Sequence, residues 1–547
     1  MKRNRRLSTA LASATAVLLL VAACSGTEGG SGDSAQPVSG GSLTWGVETE
    51  PTTLNPHLNG QSNTRLMLRN TYETLLARTQ DGGFVPWLAT GHEVSPDQLT
   101  YTFTLRADVK FTDGNPLTAA AVARNFTTMQ DVAYSGGFSS GPLSNLAGVA
   151  ARDDRTVVFT LKNPYAPFLD FAAGFDIISP AAFDKPQLKA GGPEIAGTGP
   201  FILDRYVKGQ ELHFRKNPDY NWAPRNAAHQ GPAYLDEVTY RFLPESSVRT
   251  GALTSGQVDL IEGVSGNDAA LFEDDSEYTY QRSLNNGSPY TLYWNATFGP
   301  AADEKVRKAL NSSVDVDAIL RSIYRGQRTR GWGIASSVDA LFYDKSIEQT
   351  YGADKNTANR LLDEAGWTAK DSEGFRTKDG KRLTVELVQA QSTVRDQREV
   401  LLQAVQAQAK QNAGIDLKVS YVDLGTYSEV RKNNTFGSIA NSDTLTGGID
   451  IENHWYPPTS KGTLNYSRAT DPQLASWLQA AAATIDTAER AKQYGQLQRF
   501  VLLDKAYGLP LYIPENQIAA AKHVHGAGFR PYKQLPENSY DIWVSRG

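Results

Sequence analysis

A single cysteine, Cys24, stands in the whole chain of 547 residues. That excludes an intrachain disulfide, a zinc site built on several thiolates, and any small scaffold stapled by disulfides. Whatever this chain folds into must be held by hydrophobic cores. More than 500 residues follow Cys24, beyond what one core ordinarily serves, so two or three lobes are expected.

The place of Cys24 matters as much as its solitude. It ends the run Leu18-Leu19-Leu20-Val21-Ala22-Ala23-Cys24, with Lys2, Arg3, Arg5 and Arg6 ahead of it. A basic start, a short apolar stretch and small residues before the cut make a secretory leader over residues 1–23. The apolar part, residues 11–23, falls short of the roughly 20 apolar residues a membrane helix needs. The order Val-Ala-Ala-Cys resembles the lipobox of bacterial lipoproteins, which implies that Cys24 is acylated and becomes the mature N-terminus. Residues 24–40 then read as a lipidated cysteine and a tether, almost all Gly, Ser or polar, which cannot bury enough surface to fold. As a coil, the tether would hold the body roughly 20–25 Å from its lipid. Acyl chains contribute about 0.8 kcal/mol per buried methylene and anchor a protein without a spanning helix. The body is therefore expected outside the cell, tied to the outer face of the cytoplasmic membrane.

The formal charge is −5, and loss of the four basic leader residues takes the mature chain to about −9. That balance, with no basic run in the body, argues against nucleic acid and against anionic lipid as partners.

Clean apolar alternation marks half-buried strands. Leu43, Trp45 and Val47 share one face of the first; Leu99, Tyr101, Phe103 and Leu105 share another, as do Val238, Tyr240 and Phe242. Residues 156–161, 211–214, 290–295, 383–388 and 415–422 read as further strands. Helices are expected at 303–324, at 357–365 with Gly366 as stop, and at 396–412 with Gly414 as stop. A longer helical region, 472–503, should break near Asp486. Thr118 is placed to cap a helix that begins TAAAVARNF, and Asp379-Gly380 reads as a hairpin turn. Strands alternating with helices mean an α/β body, and no repeat of 20–50 residues points to a solenoid or propeller.

These elements, in this order, resemble family 5 solute-binding proteins of ABC importers, whose members bind oligopeptides, dipeptides or nickel complexes. The resemblance is carried by GGSLTWGVETEPTTLNPH (40–57), YETLLA (72–77) and VPWLATGHEVSPDQLTYTFTLRADVKFTDGNPLTAAAV (85–122). GTGPFILDRYVKGQELHFRKNPDYNW (197–222), YWNATFGPAADEKVRKAL (293–310) and ANRLLDEAGW (358–367) complete it. It implies a two-lobed α/β binding protein of the class II type, with an extra small domain inserted in the first lobe and a ligand cleft between lobes. Carried onto this chain, lobe I is 41–80 plus 195–288 plus 515–547, the insert is 81–194 and lobe II is 289–514. The implied function is capture of a ligand, in first place a peptide, by lobe closure and delivery to an ABC permease, by a monomer with no cofactor and no catalysis. A metal chelate, a siderophore-like molecule, a sugar or an opine stands as the alternative ligand.

Site residues follow from the same resemblance and from residue chemistry. The segment 436–455 lines the cleft in relatives, where peptide binders place an aspartate against the ligand's α-ammonium. This chain shows Ile449-Asp450-Ile451-Glu452 in place of the usual Asp-Pro-Asp run, so Asp443 and Asp450 both remain candidates, with His454 and Trp455 beside them. Trp294 and Asn295 end the strand that crosses between lobes, and Trp332 sits between Gly331 and Gly333, where backbone can approach a ligand closely. Tyr134 and Phe138 lie in the insert loop that faces the cleft in relatives.

Two other motifs weigh less. Gly137-Phe138-Ser139-Ser140-Gly141 satisfies G-x-S-x-G, the nucleophile elbow of hydrolases, but it follows loop sequence and meets Pro142 at once, where that elbow needs a strand before it and a helix after. A secreted serine hydrolase using Ser139 is the reading from a different class. His523 and His525 have no third ligand nearby and read as structural.

Overall fold

The computed structural model describes residues 36–547, leaving aside 60, 62–63, 131–139, 340, 445–447, 459–463, 531, 533–537 and 546–547. Cys24 with most of its tether, Tyr134, Phe138 and Ser139 therefore lie outside the described residues. Among the described residues no helix is long and apolar enough to cross a membrane.

Two sheets organise the body. The first has seven strands in the order Tyr278–Leu284, Glu515–Ala521, Leu260–Glu262, Ser42–Val47, Glu237–Phe242, Glu211–Lys216 and Phe201–Val207. Ser42–Val47 runs parallel to both of its neighbours, and the other pairs are antiparallel. The expected alternation is what the fold uses: Leu43, Trp45, Val47, Val238, Tyr240 and Phe242 are all buried. The second sheet has five strands, Asp416–Val422, Thr384–Ala390, Ser438–Asn441, Tyr290–Trp294 and Gly508–Tyr512, the first three mutually parallel. Helices cover both of its faces, so Tyr290–Trp294 is buried at every position and Thr384–Ala390 at five of seven.

A smaller antiparallel sheet of four strands, Ala89–Val94, Thr100–Leu105, Thr156–Leu161 and Leu146–Ala151, packs its aromatic face on helix Ala119–Gln130. Phe126 of the helix meets Phe159 edge-on at 4.7 Å, the geometry that ring quadrupoles favour. Thr118 caps this helix as expected, its Oγ1 accepting from Ala121 N at 3.1 Å.

Local turn and cap signals act where the sequence places them. Arg376–Lys378 and Lys381–Arg382 pair across Asp379-Gly380, both with positive φ of 53° and 72°, as a tight hairpin turn of the primed type requires. The region 472–503 does break, into Pro472–Ala483 and Thr487–Arg499, with Asp486 capping the second by accepting from Glu489 N. One expectation is corrected. The single helix over 303–324 is two, Glu304–Ser313 and Val316–Tyr324. Val314 is extended, and the Asp315 carboxylate accepts from Ala318 N. A β-branched residue beside a strong capping aspartate favours a fresh start over continuation.

The chain crosses from the first sheet to the second at residues 285–289 and returns at 513–514. The crossings lie side by side, with Asn285 N donating to Pro514 O at 2.8 Å.

Candidate functional site

The parallel strands of the two sheets end in the same place. Glu48 and Thr49 follow Ser42–Val47, and Gly263 follows Leu260–Glu262. Ser392 to Arg395 follow Thr384–Ala390, and Ser442 to Thr444 follow Ser438–Asn441. All of these line one cavity of about 330 Å³, together with Asn285 and Pro514 of the crossings. Open α/β sheets bind ligands outside the carboxyl ends of their strands, and here two such edges face one another across the crossings.

Charged groups dominate the wall. Glu48, Glu262, Asp396, Asp443 and Glu515 supply five carboxylates, and Arg395 and Arg398 two guanidiniums. Their states differ. Arg398 is consumed by architecture: it donates to Tyr512 Oη, Thr393 O and Ser442 Oγ at 2.9–3.0 Å and lies 4.0 Å over the Tyr290 ring. Burial pushes the Asp396 carboxyl up, but Arg328, Arg398 and Arg395 outweigh it and hold Asp396 below the usual range. Burial, with the Glu48 charge adding, raises Glu262 to about 7. Arg395 touches Asp396 at 3.9 Å, and its side chain keeps 34% of its exposure.

Asp443 is set by the crossing segment. Its N–H donates to Ser288 Oγ at 3.0 Å, and a Cβ on Gly287 would fall 2.0 Å from Asp443 O. Only glycine lets the two backbones approach this closely. The Asp443 carboxylate in turn accepts from Thr444 N at 2.7 Å.

Behind Asp443 lies helix Gly448–Trp455, buried along its whole length. Asp450 and His454 stand one turn apart on it, the imidazole Nδ1 3.1 Å from Asp450 Oδ1 and 3.0 Å from Asp450 O. Burial raises Asp450 to about 6 against the pull of His454, with Asp443 adding to the rise; the two carboxylates hold His454 above its ordinary value although burial opposes them. Tyr293 stacks on the His454 ring at 5.5 Å. One donor atom from each of Asp443, Asp450 and His454 lies within 4.8 Å of the others, which makes these three a set able to hold a metal ion.

Of the site residues expected from the sequence, Asp443 is in the cavity wall, with Asp450 and His454 in the layer behind it. Trp294 donates through Nε1 to Asn311 Oδ1 at 2.7 Å and is buried in the lobe core. Asn295 spends its amide on Asn434 and Phe436 O and its carbonyl on Thr297, leaving nothing for a ligand. Trp332 packs edge-on against Tyr351 under Arg330, and Trp455 against Tyr293. These four lie away from the cavity wall because each has a core position to fill. His523 pairs with Asp259 at 3.1 Å and His525 stacks on Trp543, both structural as expected.

Sequence reasoning passed over Glu48, Glu262 and Arg395. The available signal was positional: a charged residue directly after a parallel strand points into the cleft, and TVRDQRE follows such a strand. The register showing that those strands are parallel is a tertiary fact.

The family described as bacterial extracellular solute-binding proteins, family 5, middle region, matches residues 83–464. Protein XP55 of Streptomyces lividans is 31% identical over 524 residues, covering 93% of this chain and 90% of its own. The oligopeptide-binding protein AppA of Bacillus subtilis is 25% identical over the full length of both chains. Its structure with a nonapeptide superposes with a TM-score of 0.80 at 24% identity, over 93% of this chain and 100% of that one. NikA of Brucella suis with Fe(III)-EDTA gives a TM-score of 0.78 at 25% identity, over 92% and 100%.

Proposed function

The chain belongs to the bacterial extracellular solute-binding proteins of family 5, and from that premise we propose that it captures a short, positively charged peptide between its lobes for an ABC import permease. The observation that carries this reading is the wall of the cleft, which offers carboxylates in excess together with a guanidinium, Arg395, that is not consumed by the fold. A zwitterion needs both signs; Asp396 and Glu515 pair with Arg328 and Glu262 is raised to about 7, so the excess of acid rests on Glu48 and Asp443 against Arg395, and it favours a ligand with more ammonium than carboxylate. A cavity of about 330 Å³ sits at the small end of ligand sites, which argues for a few residues rather than a long peptide. Asp443 takes the ammonium and Arg395 the carboxylate. Closure expels water, and the lower local dielectric strengthens both contacts.

The division into lobe I (41–80, 195–288, 515–547), insert (81–194) and lobe II (289–514) is supported by the seven-, four- and five-stranded sheets, which draw their strands from those segments in turn, although the hairpin of Leu76–Arg78 with Phe84–Pro86 straddles the 80/81 boundary. Anchoring through an acylated Cys24, monomeric action and the absence of catalysis belong to the same reading. Its support is the leader sequence and relatives that are solute-binding proteins.

Thermal unfolding of the mature chain against di-, tri- and tetrapeptides of graded charge tests the proposal. A ligand at 1,000 times its Kd adds about 4 kcal/mol to the native state. Lysine- or arginine-bearing short peptides should raise the midpoint, acidic ones should not, and Asp443→Asn should weaken the hit by about 1.5–3 kcal/mol. A midpoint that moves equally with acidic peptides, or an Asp443→Asn variant that binds like the wild type, would sink it.

A further inference from the structure

We propose that Asp443, Asp450 and His454 form a site for a divalent transition-metal ion at the floor of the cleft. The three residues are 8%, 3% and 1% exposed, and one donor atom of each lies within 4.8 Å of the others. Ligands held at about 2.0–2.2 Å in a tetrahedral set stand about 3.4 Å apart, so small rotations of three side chains close the set.

Charge is consistent with the geometry. Two buried carboxylates stand beside one imidazole, and the Asp443 charge acts on Asp450 alongside His454. Buried charge is retained when it is paired or coordinates a metal. A divalent ion with two carboxylates and a neutral imidazole sums to zero. The imidazole is also poised for ligation: Nδ1 is held by Asp450 O and Oδ1, while Nε2 is buried without a hydrogen-bond partner. A ring nitrogen fixed by its own helix carbonyl and carboxylate is the arrangement that orients ligating histidines.

The donor set selects the metal. Imidazole suits zinc, nickel, copper or iron, whereas calcium and magnesium favour all-oxygen cages. Three protein donors leave a fourth position, and Asp443 is the member that lines the cavity, so that position opens toward the bound solute. A solute amine or carboxylate can complete the sphere. The site shares Asp443 with the peptide proposal, whereas Asp450 and His454 serve the metal alone, so tests at those two residues let each proposal fail without the other.

The test is equilibrium dialysis and titration calorimetry of the whole chelator-stripped protein with Ni²⁺, Zn²⁺ and Co²⁺, and with Mg²⁺ and Ca²⁺ as controls. One transition-metal ion per chain is expected, with Co²⁺ showing ligand-field bands in the visible. His454→Ala and Asp450→Asn should each weaken the metal at least a hundredfold, while Mg²⁺ and Ca²⁺ leave no mark. No binding up to millimolar metal overturns the site. So does binding indifferent to both variants, or variants that lower only the thermal midpoint, since the cluster is then an ion triad that holds the helix. A basic peptide that still shifts the midpoint of metal-free protein would leave the peptide reading intact while this one falls.

Discussion

Replacing Tyr165 by phenylalanine isolates what closure contributes to affinity. Tyr165 follows a strand of the small sheet, and its hydroxyl donates to Glu452 Oε2 at 2.9 Å, on the buried helix of the other lobe 287 residues away. The flanking contacts mark a seam: Ala166 N donates to Ala482 O at 2.7 Å, and Gly448 has Pro167 and Tyr494 so near that a Cβ would meet each at 2.7 Å. A hydrogen bond to a carboxylate contributes about 1.5–3 kcal/mol, more than a neutral pair. The variant keeps the ring and its burial, so the hydroxyl is all that changes. If the seam forms as the lobes close, the whole loss falls on the closed state, and Kd rises about 10- to 100-fold. The ligand-free midpoint should stay within a degree or two of wild type. Titration calorimetry with a peptide hit, alongside scanning calorimetry without ligand, reads both quantities. A Kd within twofold of wild type refutes the reasoning. A ligand-free midpoint that falls by the full energy refutes it as well, because the seam is then permanent.

Other expectations concern the crossing segment, a buried acid and the leader. Gly287→Ala forces a Cβ to 2.0 Å from Asp443 O, so it should lower stability by about 1–3 kcal/mol and weaken ligand more than tenfold; denaturant melts and calorimetry check both. Glu73 is buried under donors from Tyr220, Thr198 and Trp222, yet burial outweighs them and raises it from 4.5 to about 7. The unfolded chain ionises first, so its contribution is favourable below pH 4.5 and is lost as pH rises to 7, by about 3 kcal/mol. His57, lowered to about 4 chiefly by burial, drives the opposite trend between pH 4 and 6.5. The difference between wild type and Glu73→Gln therefore isolates the acid in urea melts at pH 4.5 and 8, and a difference constant with pH would count against it. Cys24→Ser should move the protein from the membrane pellet to the medium; a variant that stays with membranes would remove Cys24 as the anchor.

Much of the fold was legible because burial leaves a period in the chain. Trp45, Tyr101 and Tyr240 sit on alternating faces that the sequence shows and the sheets use. Asp486 and Asp379-Gly380 act through their own backbone, so they needed no partner to be read. The helix over 303–324 misled because the apolar stripe resumes beyond the poor helix formers Asn311 to Val314, while Asp315 caps a fresh start there.

The site was legible only in part, and for a physical reason. Chemistry type is local, so Asp443, Asp450 and His454 could be singled out from one segment. Role is not local: Trp294, Asn295, Trp332 and Trp455 carry the side chains of a ligand site and spend them on packing. The sequence by itself determined the leader motif, the single cysteine that rules out an intrachain disulfide, the alternation of strand and helix and the family. Tertiary structure alone decided which strand ends meet, and therefore that Glu48, Glu262, Arg395 and Asp443, far apart along the chain, share one wall. Strand register and sheet order are set by packing between distant segments, which no local pattern encodes.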